Sequence, residues 1–253
     1  MLSAGLIFLP SCSDNDDVTD PETPIEETAV YLPSKISSPK GDLKFSYDDS
    51  DKITKMEWTD KTDTRSNYAI ILSYDAQGRV SRVDRDLTGI NQAHGYLVTY
   101  GAGGKVDVTE DTSLGGNTLE IFIDDEGYYI SSVDAATLYY KYDTNGNIIE
   151  EKHYQELEKP SYDDKNGVYK HVKTPKWALT TTAISYIDED FLSRNWYNNI
   201  VKLDRTISIE GGDDMVYVKT YDYQYNEDGY PTKADVVGTF GDAYTIGIEY
   251  IKK

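Results

Sequence analysis

Apolar and polar residues alternate along most of the chain, from about residue 30 to the C-terminus. The segments YLVTY at 96, LEIFI at 119 and TIGIEYI at 245 each place an apolar residue at every second position. A period of two residues is typical of a β-strand with one buried face, and the helical period of 3.6 residues is largely missing. The pattern predicts a mainly β protein.

One short motif recurs where these strands end: Tyr, a small polar run, Gly and a return to apolar residues. Variants of it read YDDSDKI at 47, YDAQGRV at 74, YGAGGKV at 100, YDTNGNI at 142 and YNEDGYP at 225. Most successive units lie roughly 19 to 27 residues apart, about the length of one hairpin, so the motif predicts an antiparallel meander of hairpins. The Tyr before each turn is expected to pack across the strand pair and to fix its register.

The polar residues of the motif are expected to act as structural turns. In YDAQGRV the side chain of Asp75 can accept a backbone N–H, and Gly78 can adopt the positive φ of a bulged hairpin turn. Asp143 with Gly146, and Gly229 in the last copy, are assigned the same role.

Two chemical interpretations of these turns compete with the structural one, and both fit less well. YDTNGNI offers alternating oxygen side chains, but its Gly occupies position 4 of the loop and Tyr154 stands where an EF-hand has Glu. GAGGKV at 101 lacks the Ser or Thr that follows the Lys of a phosphate-binding loop. We therefore expect no metal and no cofactor.

One segment, from about residue 163 to 203, interrupts the alternation. Pro175 fits the first turn of a helix with Thr174 as its cap, and apolar residues recur at helical spacing from Trp177 to Phe191. We expect a short helical insertion around 176–194 that packs on or into the sheet, with Trp177 and Trp196 serving that packing.

The composition bears on partners. The chain of 253 residues has 38% hydrophobic residues and 23 Tyr against 5 Phe and 3 Trp, which suits sheets whose faces are half wet. Its formal net charge of −20 argues against nucleic acid or an anionic membrane surface as an electrostatic partner.

The N-terminal twelve residues, MLSAGLIFLPSC, have features of a targeting signal. The apolar run is too short to span a bilayer and fits the core of a signal peptide over residues 1–11. Leu9-Pro10-Ser11-Cys12 resembles a bacterial lipobox, although Pro10 departs from its commonest form. Cys12 is the single cysteine of the chain and is predicted to carry the lipid that attaches the protein to the membrane.

The segment after Cys12 is acidic: residues 13–28 contain seven Asp or Glu, two Pro and no Lys or Arg. Such a composition predicts a disordered linker over 12–29, followed by a single β-meander domain over 30–253. SDNDD at 13 resembles the surface-export signal of Bacteroidota lipoproteins. We expect an outer-membrane location, with the cell surface favoured over the periplasmic face.

The chain as a whole resembles a family of Bacteroidota lipoproteins that carry a domain of unknown function with a porin-like antiparallel β fold. LPSKI at 32, DDKNGVYKHV at 163 and YNEDGYPTKA at 225 carry the resemblance, and YDxxGRV is similar to the YD-type repeats of Rhs-like proteins. The resemblance implies a meander curled into a barrel or a strongly curved sheet, and no activity. Segments such as KVDVTED do not offer the apolar outer band of a transmembrane barrel.

Catalytic signals are scarce. His94, His153 and His171 form no zinc motif, no GxSxG elbow is present, and Cys12 is assigned to the lipid. We expect no enzyme, although 45 Asp and Glu leave the carboxylate pair of a glycoside hydrolase open.

Binding is the stronger class of function. Trp58 and an alternating stripe of tyrosines on MVYVKTYDYQYNEDGY are candidates for stacking on sugar rings, and packing in the core is the alternative for all of them; the stripe consists of Tyr217, Tyr221, Tyr223 and Tyr225. The sequence favours a binding or accessory lipoprotein, with a glycan as a possible ligand. A structural lipoprotein that partners other envelope proteins is the alternative.

Overall fold

The computed structural model describes residues 29–112, 116–125, 128–132, 138–182 and 189–253. Sixteen β-strands and two α-helices lie within these ranges. The elements are β1 Tyr31–Ser37, β2 Gly41–Tyr47, β3 Ile53–Asp60, β4 Tyr68–Tyr74, β5 Val80–Leu87, β6 Gln92–Tyr100, β7 Lys105–Glu110, β8 Thr118–Ile123, β9 Tyr129–Ser132, β10 Leu138–Tyr142, β11 Ile148–His153, β12 Glu156–Tyr162, α1 Lys176–Thr182, α2 Glu189–Arg194, β13 Ile200–Ile207, β14 Met215–Tyr225, β15 Pro231–Gly238 and β16 Ala243–Lys252.

Each strand pairs antiparallel with its neighbours in the chain, and β1 pairs with both β2 and β16. The ladder of strands therefore returns to its start and forms a closed barrel. The predicted mainly β meander is confirmed, and both helices fall in the insertion between β12 and β13, as expected.

Most inward side chains of the barrel are apolar, and most charged side chains lie on the outer face. On β2 the inward side chains Leu43 and Phe45 are buried, whereas Lys44 between them is exposed. Cross-strand ion pairs such as Lys35–Glu249 at 2.5 Å lie on the outer face. Across the described ranges, no helix has both the length and the apolar character to cross a bilayer.

The insertion between β12 and β13 fills the space that a sixteen-stranded barrel would otherwise leave open. Its side chains Tyr169, Leu179 and Leu192 pack against the inner faces of β2, β3 and β4 and leave a gap of only about 10 Å³. Trp177 and Trp196 are 1% and 5% exposed. The tryptophans of the insertion thus serve core packing.

The recurring motif forms tight turns at one end of the barrel, here called the turn end; within the described residues its turns span 48–52, 75–79, 101–105, 143–147 and 226–230. In the second turn, the backbone N–H groups of Gln77 and Arg79 donate to Asp75 Oδ1 at 3.0 and 2.9 Å. Gly78 has a φ of 77° and donates its N–H to the Asp75 carbonyl at 2.9 Å. Asp143 accepts two N–H groups in the same way, and Gly146 and Gly229 have φ of 89° and 77°.

The tyrosines near these turns brace neighbouring strands to each other. Six of them, called the tyrosine belt, donate their hydroxyls to backbone carbonyls of the adjacent strand at 2.6–3.0 Å: Tyr47, Tyr74, Tyr100, Tyr162, Tyr223 and Tyr250. Tyr74, for example, donates to Ile53, which lies at the bulge between β2 and β3. A bulge leaves backbone groups out of the ladder, so the belt satisfies carbonyls that would otherwise lack a partner.

Candidate functional site

A cavity of about 780 Å³ opens at the turn end, between Asp124 and Tyr128, the turn 143–147 and the insertion. Its size lies in the range of small-molecule sites. Carboxylates, amides, tyrosines and two lysines line it: Asp124, Asp143 and Asp164; Asn145, Asn166 and Asn198; Tyr128, Tyr142 and Tyr197; Lys165 and Lys170. We call this cavity the turn-end pocket.

A lysine–tyrosine cluster forms one side of the turn-end pocket. Lys176, the first residue of α1, donates to the Tyr128 hydroxyl at 2.7 Å and lies 3.6 Å from the ring centroid of Tyr197. The hydroxyls of Tyr128 and Tyr197 are 2.9 Å apart. One ammonium group therefore fixes two rings that line the pocket, which holds them rigidly before any ligand arrives.

The electrostatics of this cluster agree with its geometry. Burial lowers the pKa of Lys176, because desolvation disfavours the charged ammonium. Burial alone would raise the pKa of Tyr197, but its hydrogen bonds with Lys176 and Tyr128 outweigh burial and lower it. The three groups thus depend on one another for their charge and orientation.

The turn 143–147 fits beneath these rings because it contains a glycine. A Cβ placed on Gly146 would lie 2.1 Å from the Tyr128 hydroxyl and 2.6 Å from the Tyr197 ring. Gly146 therefore meets two requirements. The turn has a positive φ at this position, and the pocket rings lie too close to leave room for a side chain.

Amide side chains tie the insertion to the turns around the pocket. The Asn147 amide donates to Asn198 Oδ1 at 2.9 Å, and Asn198 in turn donates to the Lys165 carbonyl at 2.9 Å. Asn166 donates to the Asp228 carbonyl at 2.8 Å and accepts from Lys170 at 2.8 Å. The polar lining of the pocket is thus held in place from both sides.

The aromatic residues singled out from the sequence lie elsewhere. Trp58 is 1% exposed, and Tyr221 is 4% exposed. Tyr223 stacks on Phe191 of the insertion with ring centroids 6.4 Å apart, and Tyr225 bonds to Asp163. These four rings pack the barrel interior and the insertion, which is the alternative that the sequence left open.

Tyr217 differs from the rest of its stripe. It lies at the end of the barrel opposite to the turn end and stacks on Phe240 with ring centroids 5.6 Å apart. The Phe240 ring is 67% exposed. Tyr217 therefore shares a strand with Tyr225 but not a site.

Cys12 lies outside the described residues, so its predicted lipidation stays a prediction. The three histidines lie apart: His94 contacts Glu110 at 3.2 Å, His153 contacts Tyr154, and His171 Nδ1 accepts the Tyr31 N–H at 2.9 Å. In the part of the chain that the structure describes, no group of three or more His, Cys, Asp and Glu residues is placed to hold a metal ion.

The residues of the turn-end pocket were mostly missed by sequence reasoning. Tyr128 lies within the degenerate copy IDDEGYY at 123, and Tyr197 and Asn198 belong to the run WYNN in the insertion. An aromatic and amide run beside an irregular segment was the available signal. Nothing in the sequence showed that Lys176 would join the two.

Comparison with known proteins gave no matching family model and no match among curated proteins. Among solved structures, a porin-like protein from Bacteroides uniformis ATCC 8492 is similar at 13% identity and a TM-score of 0.38, over 87% of this chain and 98% of that chain. A porin-like protein from Bacteroides vulgatus ATCC 8482 is similar at 11% identity and a TM-score of 0.40, over 87% and 99%.

Proposed function

We propose that this chain is a lipid-anchored binding protein of the cell envelope, displayed at the surface, and that its turn-end pocket binds a neutral saccharide. The observation that carries the proposal is the lining of that pocket. Carboxylate and amide groups stand beside fixed tyrosine rings in a cavity of about 780 Å³.

Saccharides need both kinds of group. Their hydroxyls are recognised by planar polar side chains that accept and donate in fixed directions, which Asp and Asn provide. Their ring C–H faces pack on aromatic rings. Lys176 covers one face of Tyr197, so a sugar would use the opposite face.

Charge favours a neutral ligand over an acidic one. The chain has a net charge of −20, and three carboxylates line the pocket. A polyanion such as a sulfated glycan would meet this field along its whole length. Neutral oligosaccharides meet no such penalty.

The pocket carboxylate with the clearest geometry is poorly suited to acid catalysis. Asp143 accepts backbone N–H groups of Asn145 and Asn147 and the side-chain amide of Asn147. Burial alone would raise the pKa of Asp143, but these hydrogen bonds outweigh burial and lower it. A general acid of a glycoside hydrolase needs a raised pKa, so binding without hydrolysis is the function that we propose.

Affinity electrophoresis of the full chain tests the proposal. Gels would contain xylan, galactomannan or mixed-linkage β-glucan as neutral polymers and chondroitin sulfate as an acidic one. We expect at least one neutral polymer to retard the protein. Tyr197→Ala should abolish that retardation, because it removes the stacking face.

Two comparisons control this experiment. Tyr154→Ala removes a ring that is 65% exposed at the opposite end of the barrel and should leave retardation unchanged. Asn145→Ala removes an exposed amide of the pocket and should weaken retardation without unfolding the protein. Equal loss in Tyr154→Ala, or no retardation by any polymer, would overturn the saccharide proposal and leave an envelope protein as the partner to seek.

A further inference from the structure

A second cavity lies inside the barrel at the opposite end, against the inner faces of β5 to β8. Its volume is about 360 Å³. Most of its wall is apolar and is formed by Val83, Tyr96, Val108 and Leu119. It shares no residue with the turn-end pocket, so it is a candidate site in its own right.

Arg85 projects into this apolar wall. It shares the inner face of β5 with Val83 and stands opposite His94 of β6 in the ladder. Its Nε atom is excluded from solvent and has no hydrogen-bond partner within the described ranges. No carboxylate there forms an ion pair with it either.

The other arginines of the chain behave differently. Each of the five pairs with at least one carboxylate: Arg65 with Asp63, Arg79 with Asp75, Arg82 with Asp84 and Asp111, Arg194 with Glu151 and Glu158, and Arg205 with Glu158. The cavity contains one carboxylate, Glu110, but its Oε1 lies 3.2 Å from His94 Nδ1. Among the described residues, Arg85 therefore differs from the other five arginines in having no carboxylate partner, although a buried Nε without a hydrogen bond also occurs at Arg194 and Arg205.

A guanidinium with a desolvated N–H and no acceptor is energetically costly, so the site is poised for an anion. A carboxylate suits it best, because its two oxygens match the donor fork of Arg. The apolar wall adds a requirement for an apolar body. A ligand with a single carboxylate meets less repulsion from the net charge of −20 than a polyanion does, because charges more than about 10 Å away are largely screened at 0.1 M salt.

We propose that this cavity binds a small ligand with one carboxylate on an apolar body. The carboxylate pairs with Arg85, and the body packs against Tyr96 and Leu119. The proposal is independent of the saccharide pocket, since the two cavities lie at opposite ends of the barrel.

Isothermal titration calorimetry of the full chain with three matched probes tests it. The probes are 4-phenylbutyrate, 4-phenylbutanol and 4-phenylbutylamine, which share one apolar body and differ in charge. We expect saturable binding of the carboxylate with a dissociation constant at least about tenfold lower than that of the alcohol, and no binding of the amine. Equal binding of carboxylate and alcohol, or no binding of the carboxylate, would overturn the proposal.

Variants of one strand locate the interaction. Arg85→Gln should raise the dissociation constant of 4-phenylbutyrate at least about tenfold. Arg82→Gln, on the outer face of the same strand, should leave the affinity unchanged. If Arg85→Gln does not fold, Leu119→Glu serves instead: Leu119 is 47% exposed at the cavity mouth, and a carboxylate there should repel the probe. An unchanged affinity in the folded Arg85→Gln or in Leu119→Glu would contradict the assignment.

Discussion

The two ends of the barrel join adjacent strands in different ways. At the turn end, Asp or Asn side chains bond to their own turns, and tyrosine hydroxyls bond to the next strand. At the opposite end, Asp60 and Asp63 also accept N–H groups of their own connection, but the connections vary in length. Gly211 and Gly241 there have positive φ, and a Cβ added to either would meet no atom within 4 Å.

This difference shows what the repeated motif contributes. A turn that only reverses the chain needs a residue with positive φ and little else. The turn end adds side chains that are shared between neighbouring hairpins, and the insertion uses the same turns as anchors. The N–H of Lys173, for example, donates to the Asp51 carbonyl at 3.0 Å. The repeated turns therefore anchor the insertion, and one of them forms part of the wall of the turn-end pocket.

The largest effect that separates the two ends is expected at glycine. Gly146→Ala should destabilise the fold by about 3 kcal/mol, because the added Cβ would clash with Tyr128 and Tyr197 and the positive φ is strained. Gly241→Ala at the opposite end should cost only about 1 kcal/mol, because it meets strain without a clash. Urea unfolding followed by circular dichroism measures both, and equal losses would contradict a packed turn end.

A smaller effect is expected in the tyrosine belt. Tyr47→Phe removes the hydroxyl that donates to the Pro33 carbonyl at 2.7 Å, and the loss should be about 1 kcal/mol. Tyr154→Phe is the matched control, because its ring is 65% exposed at the opposite end, and it should stay within about 0.5 kcal/mol of the parent protein. The same unfolding assay applies, and a neutral Tyr47→Phe would show that the belt packs without bracing.

The smallest effect concerns how the stability of the fold changes at acid pH. The backbone N–H of Arg79 donates to Asp75, and this hydrogen bond lowers the pKa of Asp75 in the folded chain. A hydrogen bond from the Arg79 side chain lowers the pKa further, by a smaller amount. A carboxylate with a lowered folded pKa stabilises the fold above its unfolded pKa of about 3.9, and this stabilisation is lost as pH falls through the folded pKa. Asp75→Asn should therefore be less stable than the parent at about pH 6, and the difference should shrink toward about pH 3.

Urea midpoints at the two pH values measure this change. Asp213→Asn, in an exposed loop of the opposite end, is the control and should show the same small difference at both. A difference for Asp75→Asn that does not change with pH would contradict an acid-sensitive turn end.

The strands and turns could be predicted because their causes are local. Alternation places Leu43 and Phe45 inside, and the spacing of Asp75 from Gly78 is itself the geometry of the turn. The belt could not be foreseen in this form. Tyr74 was expected to pack across its own strand pair. Its hydroxyl instead donates to the carbonyl of Ile53, which lies at the bulge of the preceding hairpin, between β2 and β3.

The insertion and its pocket were beyond sequence reasoning for the same reason. Thr174 fits a helix cap by local rules, yet its hydroxyl accepts the Ile53 N–H at 2.7 Å and so ties the insertion to β3. Trp58 and Tyr221 were candidates because aromatic residues bind sugars, but alternation does not show whether an aromatic ring packs in the core or stays open to a ligand. Lys176 meets Tyr128 across 48 residues, a contact that only the closed fold produces.

The most direct test of the account maps where a saccharide binds. Backbone amide resonances of the ¹⁵N-labelled full chain would be followed during titration with xylohexaose, mannohexaose and cellohexaose. We predict that at least one of them shifts the amides of Asn145, Gly146 and Asn166 and leaves those of Asp213 and Gly241 unchanged. Shifts confined to the opposite end, or none with any of the three, would contradict the assignment of the turn-end pocket as a saccharide site.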